Sequence, residues 1–90
     1  MRLFDTISRQ MGRELQQRRK AGGVELLALA RRIGVSRNTL WRWERGRGIP
    51  LEGFAWWAQA LGLAPGDLLA ETLRRVREQQ NGAAEATDTE

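Results

Sequence analysis

Apolar residues along this chain recur at helical rather than strand spacing, and glycine or proline punctuates each run. Leu3 or Phe4, Ile7, Met11 and Leu15 come every three or four positions and predict a first helix over about residues 3–21. Gly12 weakens its middle, so the stretch before it reads either as helix or as a separate turn or arm. Gly22 and Gly23 end the helix. A second helix over about 25–32 turns Leu26 or Leu27, Leu29, Ala30 and Ile33 inward, and Gly34 then allows a sharp turn. Ser36 suits the N-cap of a third helix, which Gly46 stops. Pro50 suits the first turn of a fourth, whose inward stripe is Leu51, Phe54, Ala55, Trp57, Ala58 and Leu61; Trp56 falls off it, beside Glu52 and Gln59. Pro65 opens a fifth with a stripe of Leu68, Leu69, Thr72, Leu73 and Val76, and Glu71 is placed to pair with Arg75.

With no credible strand and no internal repeat, this pattern predicts an all-α, five-helix domain over residues 1–80, its core in 11–69 and its fifth helix reaching about 80. From Asn81 on, NGAAEATDTE has three acids and no large apolar residue, so 81–90 is expected to be a disordered acidic tail.

The third helix carries the chemistry. In the run LLALARRIGVSRNTLWRWERG (26–46), helical geometry collects Arg37, Asn38, Trp41, Arg42 and Arg45 on one face and turns Leu40 and Trp43 the other way. Such a helix is held against a core and offers cations and an amide outward. The net charge of +4 conceals an asymmetry: residues 1–47 hold 12 basic and 4 acidic side chains, a balance of +8, and residues 48–90 hold 3 and 7, a balance of −4. A basic half attracts phosphates irrespective of sequence, and salt screens that attraction.

Composition removes other classes. Without cysteine there are no disulfides and no thiolate metal sites. Without histidine the commonest general base and metal ligand are missing too, so no enzyme, cofactor or metal is expected. No stretch approaches the roughly 20 apolar residues that span a bilayer, and no secretory signal is visible, so a soluble cytoplasmic protein is expected.

LARRIGVSRNTLWRWERG (29–46), with Ala30, Gly34, Leu40 and Trp43 at the motif's core positions, resembles the Cro- and repressor-type (XRE-like) helix-turn-helix family of small bacterial and phage DNA-binding proteins. ALGLAPGDLL (60–69) is similar to a later segment of that family, and the resemblance covers roughly residues 11–69. It implies that the third helix enters the major groove of double-stranded DNA. Arg37, Asn38 and Arg42 would then reach base edges, with Ser36 and Thr39 at the margin. Arginine can donate two hydrogens to guanine, and asparagine can pair with adenine. Arg45 and Arg47, with Arg31 and Arg32, stand where phosphate contacts are made, although for the last two a solvated face explains the residues as well. Trp41 stands where the family has a small or polar residue; it would either stack on a sugar or touch a thymine methyl, or cover apolar surface on a neighbouring helix. Arg19 and Glu44 match positions that form a partly buried structural ion pair.

Two departures stand out. Glu25 and Leu26 replace the family's usual cap and phosphate-contacting amide, and Arg18 stands where an apolar residue is common, its stem able to cover the core. The family resemblance also implies a regulator, most simply a repressor, binding a pseudopalindromic operator as a homodimer. The candidate dimer surface is the fifth helix with Trp56 and Leu63, including Leu73 and Val76. The alternative is an antitoxin or protein-interaction adaptor that uses the same fold to bind a toxin or another regulator.

Overall fold

A computed structural model describes the backbone of residues 4–88 and the side chains of residues 4–81. Within them lie α1 (Thr6–Ala21), α2 (Leu26–Ile33), α3 (Arg37–Glu44), α4 (Leu51–Ala60) and α5 (Pro65–Asp88), and no strand. The first helix packs on α3 and α5, α2 on α3 and α4, and α4 on α5. Met11, Leu15, Leu29, Ala30, Leu40, Trp43, Phe54, Trp57, Ala58 and Leu68 make the core. The Trp43 and Trp57 rings meet at its centre, 6.0 Å apart and tilted by 42°, a separation that favours an inclined aromatic pair.

Gly12 does not interrupt α1, which is continuous from Thr6. Its hydrogen is there for packing: a Cβ at this position would lie 2.5 Å from the carbonyl oxygen of Trp43 and 2.7 Å from that of Glu44. The missing side chain lets α1 touch the backbone at the end of α3. Of the predicted first-helix stripe, Leu3 lies outside the described residues, Phe4 and Ile7 are exposed, and Met11 and Leu15 are buried.

Gly34, at φ 89°, makes the turn between α2 and α3, and its amide and that of Val35 both donate to the Ala30 carbonyl, at 2.9 and 3.0 Å. A residue with a side chain would meet a steric penalty at that φ. Ser36 caps α3, its hydroxyl accepting the Thr39 amide at 3.0 Å, whereas Glu25 precedes α2 without any side-chain cap.

In α4, Phe54, Trp57 and Ala58 face inward as expected, but Leu51 is 81% exposed. It is the first residue of the helix and lies at the rim of a cleft with Ile7, Phe54 and Leu69. Burial of α4 begins one turn later.

The contact between α1 and α5 is partly polar. Buried Glu14 accepts the Thr72 hydroxyl at 2.6 Å and pairs with Arg75 at 2.9 Å. A hydroxyl has a single hydrogen, so with Glu14 that close Thr72 donates there. The predicted Glu71–Arg75 pair is present at 3.0 Å, and Arg74 bridges Glu71 and Glu78 at 2.7 and 2.6 Å. Helical backbone runs on to Asp88, through most of the stretch expected to be a disordered tail. Alanine and glutamate are strong helix formers, and residues 83–86 read AAEA.

Candidate nucleic-acid interface

The fold leaves one face of α3 open. Leu40, Trp43 and Glu44 are buried, and Arg37, Asn38 and Arg42 are exposed with Arg45 just beyond the helix. At 3.6 residues per turn, Asn38, Arg42 and Arg45 occupy the middle of the open face, Trp41 and Arg37 one flank and Thr39 the other.

Three anchors hold this helix. Leu40 and Trp43 sit in the core, and the Trp43 ring lies over Gly53 of α4, where a Cβ would come within 2.5 Å of it. At the C-terminal end, Glu44 forms a two-pronged pair with Arg19 of α1, with Nε to Oε2 at 2.6 Å and Nη2 to Oε1 at 3.1 Å. The third guanidinium nitrogen, Nη1, donates to the Val24 carbonyl at 2.8 Å, and the Glu44 carboxylate side chain is 1% exposed. A planar fork matched to a carboxylate fixes both distance and orientation, so α1 sets how α3 is presented.

The outward side chains are themselves connected. The Ser36 hydroxyl donates to the Thr39 hydroxyl at 2.8 Å while accepting the Thr39 amide, and Arg42 donates to the same Thr39 oxygen at 3.5 Å. Ser36 and Thr39 are therefore engaged in capping and in steadying Arg42, which explains a marginal place in any contact surface. The Arg45 guanidinium lies over the Trp41 ring, 3.6 Å from its centre, and its Nη1 donates to the Trp41 carbonyl at 3.4 Å. Neither role foreseen for Trp41 included this: the indole carries a cation of its own segment.

Arg47 is exposed just past Gly46. Gly46 has φ 77°, and a Cβ there would fall 2.6 Å from the Arg9 Cα. This close approach brings Arg9, an exposed cation of α1, next to Arg45 and Arg47. Sequence reading missed Arg9, because no spacing rule relates it to a turn 37 positions later. Arg31 and Arg32 are exposed in the last turn of α2, where cations are favoured by the helix dipole without any ligand. Arg32 lines a cleft with Ile33, Trp56, Gln59 and Ala60.

Of the four residues expected at a dimer surface, three border different clefts and one is buried. Trp56, 55% exposed, borders the cleft with Arg32, and its indole nitrogen donates to Glu52 at a long 3.5 Å. Leu63 is half-buried against the core and lines another cleft, with Arg18, Asp67 and Leu68. Val76 is only 6% exposed, beside Thr6 and Ile7 of α1, and is withdrawn from that set. Leu73, 37% exposed, adjoins Thr6 and Ile7. Along the α5 stripe Leu68, Thr72 and Val76 are buried, and Leu69 and Leu73 form its exposed edge.

A model of the "Helix-turn-helix domain" family matches residues 10–71. No curated protein matched the sequence. Among solved structures, a crystal structure of the clp gene regulator ClgR from Corynebacterium glutamicum is 30% identical over 90% of this chain and 87% of that one, with a TM-score of 0.75. A second structure of that regulator is 33% identical over 77% and 91% of the two chains, with a TM-score of 0.68. The Gly34 turn, the Ser36-capped α3 and the match over residues 10–71 agree, and the chain belongs to the helix-turn-helix domain family.

Proposed function

We propose that this chain is a non-enzymatic, sequence-specific double-stranded DNA-binding regulator, most simply a cytoplasmic repressor that occludes a promoter. The observation that carries this reading is the open face of α3, where Arg37, Asn38 and Arg42 stand exposed while Leu40, Trp43 and the Glu44–Arg19 pair hold the helix from behind. A rigidly held helix of this width fits the major groove, and arginine and asparagine have the donor and acceptor geometry to discriminate guanine and adenine. Arg45, Arg47 and Arg9 supply cations at one end of α3, and Arg31 and Arg32 at the end of α2. Phosphate contacts of that kind set register without reading sequence. Likeness to a gene regulator supports the same role. Among the described residues no helix is long and apolar enough to cross a membrane.

The reading includes a homodimer on a pseudopalindromic site, with half-sites about 34 Å apart. Its support is an exposed apolar patch: Ile7, Leu51 and Leu69 line one cleft, and Ile7 and Leu73 line the next. Selection of bound sequences from a random duplex library at near-physiological salt tests the whole reading. A recovered palindrome is expected. Binding confined to low salt, with no motif, would mean that the basic face acts by generic electrostatics alone.

A further inference from the structure

We infer that Trp41 is a positioning residue whose indole holds the Arg45 guanidinium in place on the DNA-facing surface of α3. The inference rests on the DNA-binding reading above and assigns a part within it. Trp41 is half-buried on the flank of the open face, and Arg45 is exposed one turn further on. Side chains on a helix lean toward its N-terminus, so Arg45 reaches back over Trp41. Its carbon Cζ comes 3.6 Å from the ring centre, and Nη1 donates to the Trp41 carbonyl at 3.4 Å. Two independent contacts thus act on one flexible side chain, in one direction.

The chemistry leaves the cation usable. Stacking occupies a flat face of the guanidinium, whereas its hydrogens point outward in the plane. A stacked arginine therefore keeps in-plane donors for a phosphate or a guanine edge. An unstacked arginine must lose rotamer freedom on binding, and Trp41 removes much of that loss beforehand. The stack also holds the Arg45 head back over Trp41 instead of beyond the end of the helix. Arg42 also has a partner on this face, Thr39, which Ser36 holds in turn, so two of the outward cations of α3 are already placed. A large aromatic residue at this outward position then needs no base contact of its own.

A double-mutant cycle on the duplex recovered by selection tests this, with a scrambled duplex as control. Trp41→Ala and Arg45→Ala are each expected to weaken binding about five- to tenfold. The double variant is expected to be no weaker than the worse single variant, and Trp41→Phe to recover most of the loss. In the free protein, the Arg45 side-chain proton resonances should lie upfield of their usual position, through the indole ring current, and should return in Trp41→Phe only part of the way. Independent, additive losses would mean that Trp41 touches DNA itself, and the inference falls; so it does if Trp41→Ala binds like wild type or if the ring-current shift is absent. A wild-type protein that does not prefer the selected duplex over the scrambled one overturns the DNA-reading function first, and this inference with it.

Discussion

Single residues here act through what they prevent as much as through what they contact. Glu44 is buried against Arg19, which meets its carboxylate with two nitrogens. Glu44→Ala leaves the guanidinium, 11% exposed as a side chain, without its counter-charge. The expected loss is about 3–5 kcal/mol, read from chemical denaturation, and a wild-type midpoint would refute the structural role of the pair. Gly12→Ala is a contest between two effects. Alanine gains at most about 1 kcal/mol in helix propensity, while overpacking costs about 1–3 kcal/mol. The atoms that a Cβ would strike are the backbone carbonyls of Trp43 and Glu44, which cannot rotate aside, so we expect net destabilisation. A more stable Gly12→Ala protein would show that α1 and α3 separate at little cost.

At the scale of elements, helix ends and exposed charge pairs decide how firmly each segment is held. α3 has only eight residues, too short to be stable alone, so its cap and its packing both matter. Ser36→Ala removes the acceptor for the Thr39 amide and the support of Thr39 under Arg42. The expected cost is about 1 kcal/mol in stability; an unchanged denaturation midpoint would mean that water replaces the cap fully. On α5, hydrogen bonds from Arg74, and then from Arg75, hold the Glu71 carboxyl below its ordinary range. A carboxylate with a depressed folded-state pKa stabilises above its unfolded value, and that contribution is lost as pH falls through the depressed one. An NMR titration should place Glu71 below an unpaired glutamate, and Arg74→Gln should bring it back up. A Glu71 that titrates normally would mean that the pairs seen on α5 do not persist in solution.

For the whole molecule, charge is unevenly distributed along the chain. The basic balance belongs to the half containing α1 to α3 and the acidic balance to the remainder, so attraction to DNA comes from the first half and should weaken steeply with salt. Arg47→Ala is expected to lower affinity for all duplexes alike and to flatten the logarithmic salt dependence by about one, whereas Arg42→Ala should cost about 1–3 kcal/mol and relax the preference at one base pair. The same behaviour from both variants would merge the two proposed classes of contact. Association belongs to this scale as well. Leu73→Glu, at an already exposed position of α5, is expected to keep the fold and to shift sedimentation toward monomer; a wild-type sedimentation profile would place the interface elsewhere. The molecule measures 50 × 22 × 21 Å, elongated because the 24 residues of α5 extend about 36 Å.

Helix number, the stops at Gly22, Gly34 and Gly46, the Ser36 cap and the composition of the α3 face were legible in the chain, because each follows from local rules of backbone freedom and periodicity. The Arg19–Glu44 pair was legible only through likeness to a family, since no local rule joins residues 25 positions apart. Packing alone settled the rest. Gly12 read as a weak point in a helix, yet its missing Cβ is the contact between α1 and α3. Leu51 read as an inward stripe position and is exposed, whereas Val76 read as part of a dimer surface and is buried, because burial depends on how helices meet in space. Trp41 carried two readings until the position of Arg45 gave it a third. Periodicity states which way a side chain points from its own helix; what it then meets is a property of the neighbouring helix, and that information is spread over the whole chain.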